Sequence, residues 1–493
     1  MVILFFKNVI QHLKFPPVQC AALGALIGFY ILFKMVFAFI VVIVVFLLFL
    51  MSFFRVLSSL NKESRFLHFA NICSAAFTIG VFIGLCAANA GRNEINFGIP
   101  EKDIIAVEGV LLEDPRILSS GSAMVTLSLK KSAGEKGLRI SSKGEIIIFF
   151  QPNNAFKIRE YGRGTIVFAE GVIRTNDRGT SMSAKSLHVI KPAPAIERTR
   201  TNIRLSLINR FGSSQWGGLS LALLLGIRDN MDSDFTVLYQ NAGLSYILAL
   251  SGMHLAIIAA LISFLLKKPL GLKWCAIAGA VIIILYCFLV GPMPSLNRSA
   301  LMYVLGVLAI LGALPKKAMS ILSLSFLIQI IVTPAAGNTL SFILSYLALL
   351  GILITGQGLS SLFAGKVPDF ILQPLSLSVG AFLITSGICS FTFGTIAPIG
   401  IIAGLAIVPL TTVFMIGSII WLLLDFISLS FILGFPLNIV YNLMHITASI
   451  AGNVPGISAN PFLVLVLSIM LIIYLYAIEQ RRKAELLKLE PFL

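Results

Sequence analysis

Charge is what this sequence has least of: 12% of its 493 residues are Asp, Glu, Lys or Arg, against 57% hydrophobic, with a mean hydropathy of +0.96. A soluble fold cannot hide that much apolar surface, so an ordinary soluble protein is excluded. Histidine is scarce as well. The five present, His12, His68, His188, His254 and His445, are dispersed and form no H-x-H-x-D-H cluster, which removes a zinc hydrolase site of that kind. There is no phosphate-binding G-x-x-x-x-G-K-[ST] loop and no H-E-x-x-H pair, so no nucleotide-hydrolysing or zinc-protease motif is legible and no cofactor is expected. All six cysteines, Cys20, Cys73, Cys86, Cys275, Cys287 and Cys389, fall in apolar segments. They read as small membrane hydrophobes and not as a disulfide framework.

What the chain does contain is long apolar runs. A membrane-crossing helix needs about 20 mainly apolar residues, because the hydrocarbon offers no partner for backbone polar groups. Such runs occur near 18–33, 35–54, 69–90, 245–266, 274–290, 299–314, 318–333, 340–357, 371–388, 396–424, 431–450 and 461–478. Lys7 and Lys14 precede the first run, but a second follows at once and no clean cleavage site intervenes, so the N-terminus reads as a retained anchor. The expected fold is an α-helical polytopic membrane protein of about 12 spans plus a short re-entrant helix, with an inserted OB-like β-barrel domain. Its divisions are 1–90 (membrane segments), 91–195 (soluble β domain), 196–241 (amphipathic and re-entrant helices), 242–480 (membrane channel domain) and 481–493 (basic tail).

The insert announces itself by a change of character. From Gly91 to Lys191 the sequence is polar, with 15 Lys+Arg against 11 Asp+Glu, a local net of +4. Val125, Leu127 and Leu129 alternate with Thr126 and Ser128, and further β-rich runs lie at 106–112, 145–150, 165–173 and 187–190. Five strands in that length, separated by Asp114-Pro115, Ser120-Gly121 and the Tyr161-Gly162-Arg163-Gly164 turn, predict a small barrel of the OB type, whether as a ligand-binding surface or as a cap on neighbouring helices. Lys157, Arg159 and Arg163 cluster near Phe149, Phe150 and Phe156. Basic residues beside aromatics suit sequence-independent binding of single-stranded nucleic acid, although one of the adjacent Phe149 and Phe150 must face the core. Lys157, Arg159, Arg163 and Phe156 are therefore the candidate contacts.

The formal net charge of +16 decides little by itself, since membrane proteins gather Lys and Arg in cytoplasmic loops. If the runs simply alternate, Lys62 with Arg65, Lys267 with Lys268 and Lys273, Lys316 with Lys317, Lys366, and the Arg481-Arg482-Lys483 tail share one side. That side is the cytoplasm, which places both termini inside and the 91–240 region outside. Arg198 to Arg210 forms a basic amphipathic stretch suited to the membrane surface.

The most informative segment, Leu221 to Leu261, reads LALLLGIRDNMDSDFTVLYQNAGLSYILALSGMHLAIIAAL. An apolar run too short to span is followed by an acidic turn, then by re-entry carrying Asn241, Gly243, Tyr246, Ser251, Gly252 and His254. Polar groups inside an apolar helix are costly unless they face protein or water, and a broken helix at membrane depth lines a cavity. Downstream, Gly291-Pro292 and Pro294-Ser295-Leu296-Asn297-Arg298-Ser299-Ala300 place two prolines and a cation before an apolar run. An arginine at a helix centre costs about 2.5–3.5 kcal/mol on permissive insertion scales. It either serves a purpose there or snorkels from the helix end.

These elements resemble the ComEC family of competence proteins, whose hallmark is a short LLLG helix before an AGLSHLLAISGLH-like stretch. Here Tyr246 stands in place of the His and Met253 in place of the Leu. The Gly291 to Ala300 segment resembles the family's G-x-x-P-S-x-x-R-A element, with Ser299 as a variant position. Ser341 to Ala348 resembles its FQLSFLA helix without the Gln, and Gly400 to Pro409 its NLLALPL element. The resemblance covers nearly the whole chain. It implies an inner-membrane channel carrying single-stranded DNA into the cytoplasm during natural transformation, and a conduit without the C-terminal nuclease domain that many members carry, since the sequence stops at Leu493. The path is expected at Asn241, Tyr246, Ser251, Gly252, His254, Ser295, Asn297 and Arg298. Moving each negative charge into an inside-negative cell costs about 2.3 kcal/mol per 100 mV, so a cytoplasmic ATPase or helicase must pull. Besides single-stranded DNA and membrane lipid, the expected partners are that motor, an outer DNA receptor and a separate nuclease. Two other readings compete: a transporter or flippase for another anionic polymer or lipid-linked glycan, and an enzyme using His254 and Arg298. The second lacks paired carboxylates and nucleophile–base spacing.

Overall fold

The computed structural model describes residues 17–31, 65–91, 95–118, 121–134, 139–151, 158–176, 179–212, 214–314, 317–363 and 365–489. The apolar run at 35–54, Lys7, Lys14, Lys62 and Lys316, and the candidate contacts Phe156 and Lys157 lie outside them.

Helix α1 (Pro17–Leu26), continued by a π turn at Ile27–Ile31, packs along α2 (Arg65–Ala90). Glycines make that approach possible: a Cβ on Gly24 or Gly28 would overlap the Phe77 or Val81 carbonyl, and one on Gly80 or Gly84 the Ala21 or Ala25 carbonyl. Small residues of this kind let membrane helices meet backbone to backbone.

Among its described residues the polar insert has seven strands: β1 (Ile104–Leu111), β2 (Arg116–Ile117), β3 (Ala123–Gly134), β4 (Arg139–Ser141), β5 (Glu145–Phe150), β6 (Ile166–Asn176) and β7 (Gly179–Lys191). Their order is β1-β6-β7-β5-β3-β2, with β4 beside β3 and a further β1–β3 pairing; all pairs are antiparallel except β5–β7. The five expected strand runs are present, and the domain is a seven-stranded sheet because β2 and β4, too short for any periodicity, add to them. Alternation sends Val125, Leu127, Leu129, Ile146 and Ile148 into one core with Val107, Val167 and Met182. Phe150 packs against that core while Phe149 is 38% exposed, the opposite-facing arrangement that neighbouring strand residues require.

The remaining helices are α3 (Ala195–Phe211), α4 (Gly217–Leu225), α5 (Ser233–Asn241), α6 (Ser245–Leu248), α7 (Gly252–Val290), α8 (Pro294–Leu311), α9 (Ala318–Val332), α10 (Leu340–Phe363), α11 (Asp369–Phe393), α12 (Ile399–Asp425), α13 (Phe431–Gly452) and α14 (Pro461–Leu489). Among the described residues, seven helices are long and apolar enough to cross a membrane, α2, α7, α8 and α10 to α13, against the expected twelve or so. The difference has definite sources. Residues 252–266 of one run and the run at 274–290 are two arms of α7, which leaves helical geometry at Gly271 (φ 72°, ψ 172°). The apolar helices at Pro17–Tyr30, Ala318–Val332 and Pro461–Leu475 are shorter, and the run at 35–54 lies outside the described residues.

Helix α4 is the centre of the helical part. All nine of its residues are buried, and at about 1.5 Å per residue it is too short to cross. It ends at Gly226 in the left-handed region (φ 71°), its free Leu224 carbonyl accepts from the Tyr286 hydroxyl at 2.8 Å, and Ser220 meets Ser418 of α12 at 2.9 Å. A second core joins α1 and α2 to α9 and α10 through Ala25, Phe29, Phe326, Phe342 and Tyr346.

Candidate functional site

The chain is extended between α6 and α7, where Ala249 and Ser251 adopt β geometry. Extended backbone at membrane depth must find its hydrogen bonds elsewhere. Arg228 donates to the Leu248 carbonyl at 2.9 Å and Ser295 Oγ to the Leu250 carbonyl at 2.5 Å. Helix α7 then starts from a capping box: the Met253 N–H donates to Ser251 Oγ at 3.3 Å, and the Ser251 N–H to His254 Nδ1 at 3.2 Å. The serine and histidine, three apart, satisfy two of the orphan donors that any helix start leaves. Ser251 Oγ also stands 3.1 Å from Nδ1, so this pair is occupied as a cap. A neutral imidazole accepting at Nδ1 carries its proton on Nε2, and that nitrogen is buried without a hydrogen-bond partner.

Helix α8 begins at Pro294, whose fixed φ suits a first helical position, so Ser295, Arg298 and Ser299 fall on its first turns facing the α7 start. An added Cβ at Gly252 would lie 3.2 Å from Arg298 Nη2 and 2.9 Å from Ser299 Oγ, a closeness only glycine permits. Arg298 is 7% exposed. Its Nη2 donates to Ser299 Oγ at 3.3 Å, its Nη1 lies 3.8 Å from Met302 Sδ, its guanidinium stands 5.7 Å from the Tyr346 ring centroid, and its Nε is unpartnered. Among the described residues no carboxylate comes within 4 Å of it. Tyr346 donates to Gln329 Oε1 at 2.9 Å, and Gln329 Nε2 to the Pro294 carbonyl at 3.0 Å. The result is a buried polar cluster on α7, α8, α9 and α10, with one cation and no counter-charge.

Of the expected path residues, Ser251, Gly252, His254, Ser295 and Arg298 come together here. Asn297 is half-buried on the same turn. Asn241 and Tyr246 do not join them: both are exposed, and a Cβ on Gly404 of α12 would lie 2.9 Å from the Tyr246 hydroxyl. Gln329 and Tyr346 belong to the cluster too; no local pattern marks Gln329, and Tyr346 lies in the 341–348 segment but was not among the expected path residues. Gln329 places an amide beside Tyr346 from the neighbouring helix, where the 341–348 segment itself lacks one.

The sheet-domain arginines are committed elsewhere. Arg159 donates to Asn230 Oδ1 at 2.9 Å and pairs with Asp229 at 3.5 Å; Arg163 pairs with Glu197 of α3, its Nε donating at 3.1 Å. They fasten the domain to the helical part instead of lying free on its surface. Arg200 and Arg204 of α3 likewise turn inward, not along a membrane surface. Arg200 donates twice to Asp114, at 3.0 and 2.5 Å, and Arg204 Nε stands 3.2 Å from the same carboxylate. Burial alone would raise the Asp114 carboxyl, but the Arg200 hydrogen bond, the Arg204 charge and the Arg163 N–H outweigh it and hold the group below its usual range. Asp229 goes the other way: burial raises it despite the Ile117 N–H and Arg159.

Apolar helices of crossing length, a buried and broken helix pair bearing an arginine, and a polar sheet domain ion-paired to α3 and to the loop after α4 define a multi-pass membrane protein with a buried polar cluster among its helices. A family model described as competence protein matches residues 223–482, over half of the chain and all of the cluster, and the chain belongs to that competence-protein family. ComE operon protein 3 of Bacillus subtilis (strain 168) is 29% identical over 170 residues, 33% of this chain and 22% of that protein, so the aligned stretch spans about a fifth of that relative's length.

Proposed function

We propose that the chain is an inner-membrane conduit that admits single-stranded DNA to the cytoplasm during natural transformation, and that it is a channel and not an enzyme. The observation that carries this reading is Arg298. A buried guanidinium without a carboxylate is costly, and a passing phosphodiester offers the missing partner through charge-assisted hydrogen bonds. Family membership supports the connection to DNA uptake. Serine, histidine and glutamine around the cation can hydrate or brace a strand without holding it, as transport requires.

The sheet domain faces outward in this proposal. Its pairing order, with β1 beside both β3 and β6 and with β5 parallel to β7, supports an OB-like reading, a fold used to bind oligonucleotides. Phe156, Lys157 and exposed Phe149 are the candidate strand contacts there, and Arg159 and Arg163 fix the domain in place. An outer DNA receptor delivers the strand, a cytoplasmic ATPase or helicase pulls it, and a separate nuclease removes its complement.

The test is uptake of labelled single-stranded DNA by cells carrying this chain as their sole copy. Arg298→Ala lowers uptake at least about tenfold at unchanged protein level, and Arg298→Lys retains part of it because charge survives while the bidentate fork does not. Uptake by Arg298→Ala equal to the parent overturns the proposal. Photocrosslinks from the cluster to a lipid-linked glycan instead of DNA make the chain a glycan transporter.

A further inference from the structure

The last turn of α7 has a deficit written into the sequence. In a continuing helix the Phe288 carbonyl would accept from residue 292 and the Val290 carbonyl from residue 294, but both positions are proline and have no N–H. The missing donors come from another element. Arg200 Nε donates to the Phe288 carbonyl at 2.9 Å, and Arg204 Nη1 donates to the Leu289 carbonyl at 3.0 Å and the Val290 carbonyl at 2.9 Å. Two cations at a helix C-terminus also oppose the negative end of its dipole.

Asp114, on the turn after β1, holds both arginines at once, and Glu197 adds a second contact to Arg200 at 3.2 Å. The Arg200 side chain is 1% exposed. Gly291 occupies φ 105°, and a Cβ there would stand 3.1 Å from Arg200 Nη2, so the chain reverses over the guanidinium. Four residues beyond Gly291 comes Ser295, which anchors the Leu250 carbonyl, and seven beyond it Arg298.

We infer that Asp114, Arg200 and Arg204 are positioning residues for the buried cluster: through them the outer sheet domain sets the geometry of the α7–α8 break and hence the placement of Arg298. This rests on the conduit reading for its purpose but not for its geometry. The domain is thereby more than a receptor, because a strand that shifts Asp114 shifts the break.

The experiment uses the full chain in native membranes with its six cysteines replaced by serine or alanine and one thiol introduced as Asn297→Cys. The rate of modification by a charged, membrane-impermeant thiol reagent is measured, with Lys185→Cys in the sheet domain as a control. Asp114→Asn and Arg204→Gln change the rate at position 297 about tenfold or more, since each removes one side of a buried pair, and leave position 185 unchanged. Arg200→Lys, which keeps charge but not the fork, gives an intermediate change. Unchanged rates at 297 in both variants, at parental protein level, overturn the inference whatever DNA uptake does. A changed rate at 297 combined with parental uptake by Arg298→Ala leaves the positioning intact and removes the conduit. Arg200→Ala is avoided as the primary variant because it strands Asp114; should Arg204→Gln fail to accumulate, Asp114→Asn decides alone.

Discussion

Arg200 and Arg298 are both buried, at 2% and 7% exposure, yet they are treated in opposite ways. Arg200 is satisfied on every side, by two carboxylates and a helix-end carbonyl. Arg298 has a hydroxyl, a thioether and an aromatic face, with one nitrogen unpartnered. Burying a charge is tolerable when excellent geometry repays the desolvation, and Arg200 has that geometry. Nothing in its surroundings repays Arg298. The difference separates a cation that holds the fold from one that the fold holds in reserve.

The comparison breaks most visibly at Arg200. Arg200→Met leaves Asp114 buried beside one arginine and the Phe288 carbonyl without its side-chain donor, and should cost about 3–5 kcal/mol, the range for removing one member of a buried pair. Denaturation of the purified chain in detergent reads it; a loss below about 1 kcal/mol would make the junction ornamental. Next comes Asp114→Asn, at about 2 kcal/mol, because a charge-assisted pair becomes an ordinary hydrogen bond. Its pH signature is specific. Asp114 has a lowered folded-state pKa, so its contribution is full above the unfolded value of about 3.9 and disappears as pH falls through the folded one. The parent therefore softens on acidification below about pH 4, and Asp114→Asn flattens that limb while lying lower at neutral pH. Asp229 is raised, so ionising it on folding adds no stability at neutral pH, and Asp229→Asn, which keeps an amide oxygen beside Arg159, should cost less than Asp114→Asn.

Much of this was legible because it is periodic or local. The strand at 123–134 shows in period-two alternation and the other four long strands in β-rich runs, and the break shows in the two prolines just before Arg298, whereas the Ser251–His254 capping box was not read from the sequence. What else escaped is non-local. Asp114 and Arg200 are 86 residues apart, and Arg159 lies 70 from Asp229; a cluster of basic and aromatic residues says nothing of the carboxylates folded against it, so arginines that fasten two domains read as a nucleic-acid surface. Gln329 and Tyr346 sit singly on apolar helices, where only the fold brings them to Arg298. Tyr246 lies within the motif that names the family, yet one turn of α6 points it toward α12 and away from the cluster.

The smallest stability effect is the sharpest test of the comparison. Arg298→Met replaces a buried, unpaired cation with an apolar side chain of similar reach, and no carboxylate is stranded by the change. Apolar replacement of buried ionic groups is often neutral or stabilising, and here even the usual loss of pairing energy is missing. What is given up is one weak hydrogen bond to Ser299 and the contact with the Tyr346 ring, together worth about 1–2 kcal/mol; what is recovered is the desolvation of a guanidinium. The two offset, so the variant should unfold within about 1 kcal/mol of the parent while Arg200→Met, chemically the same exchange, falls far below it. A large loss for Arg298→Met would mean that its charge is already balanced within the resting protein, and the division between the two arginines would collapse.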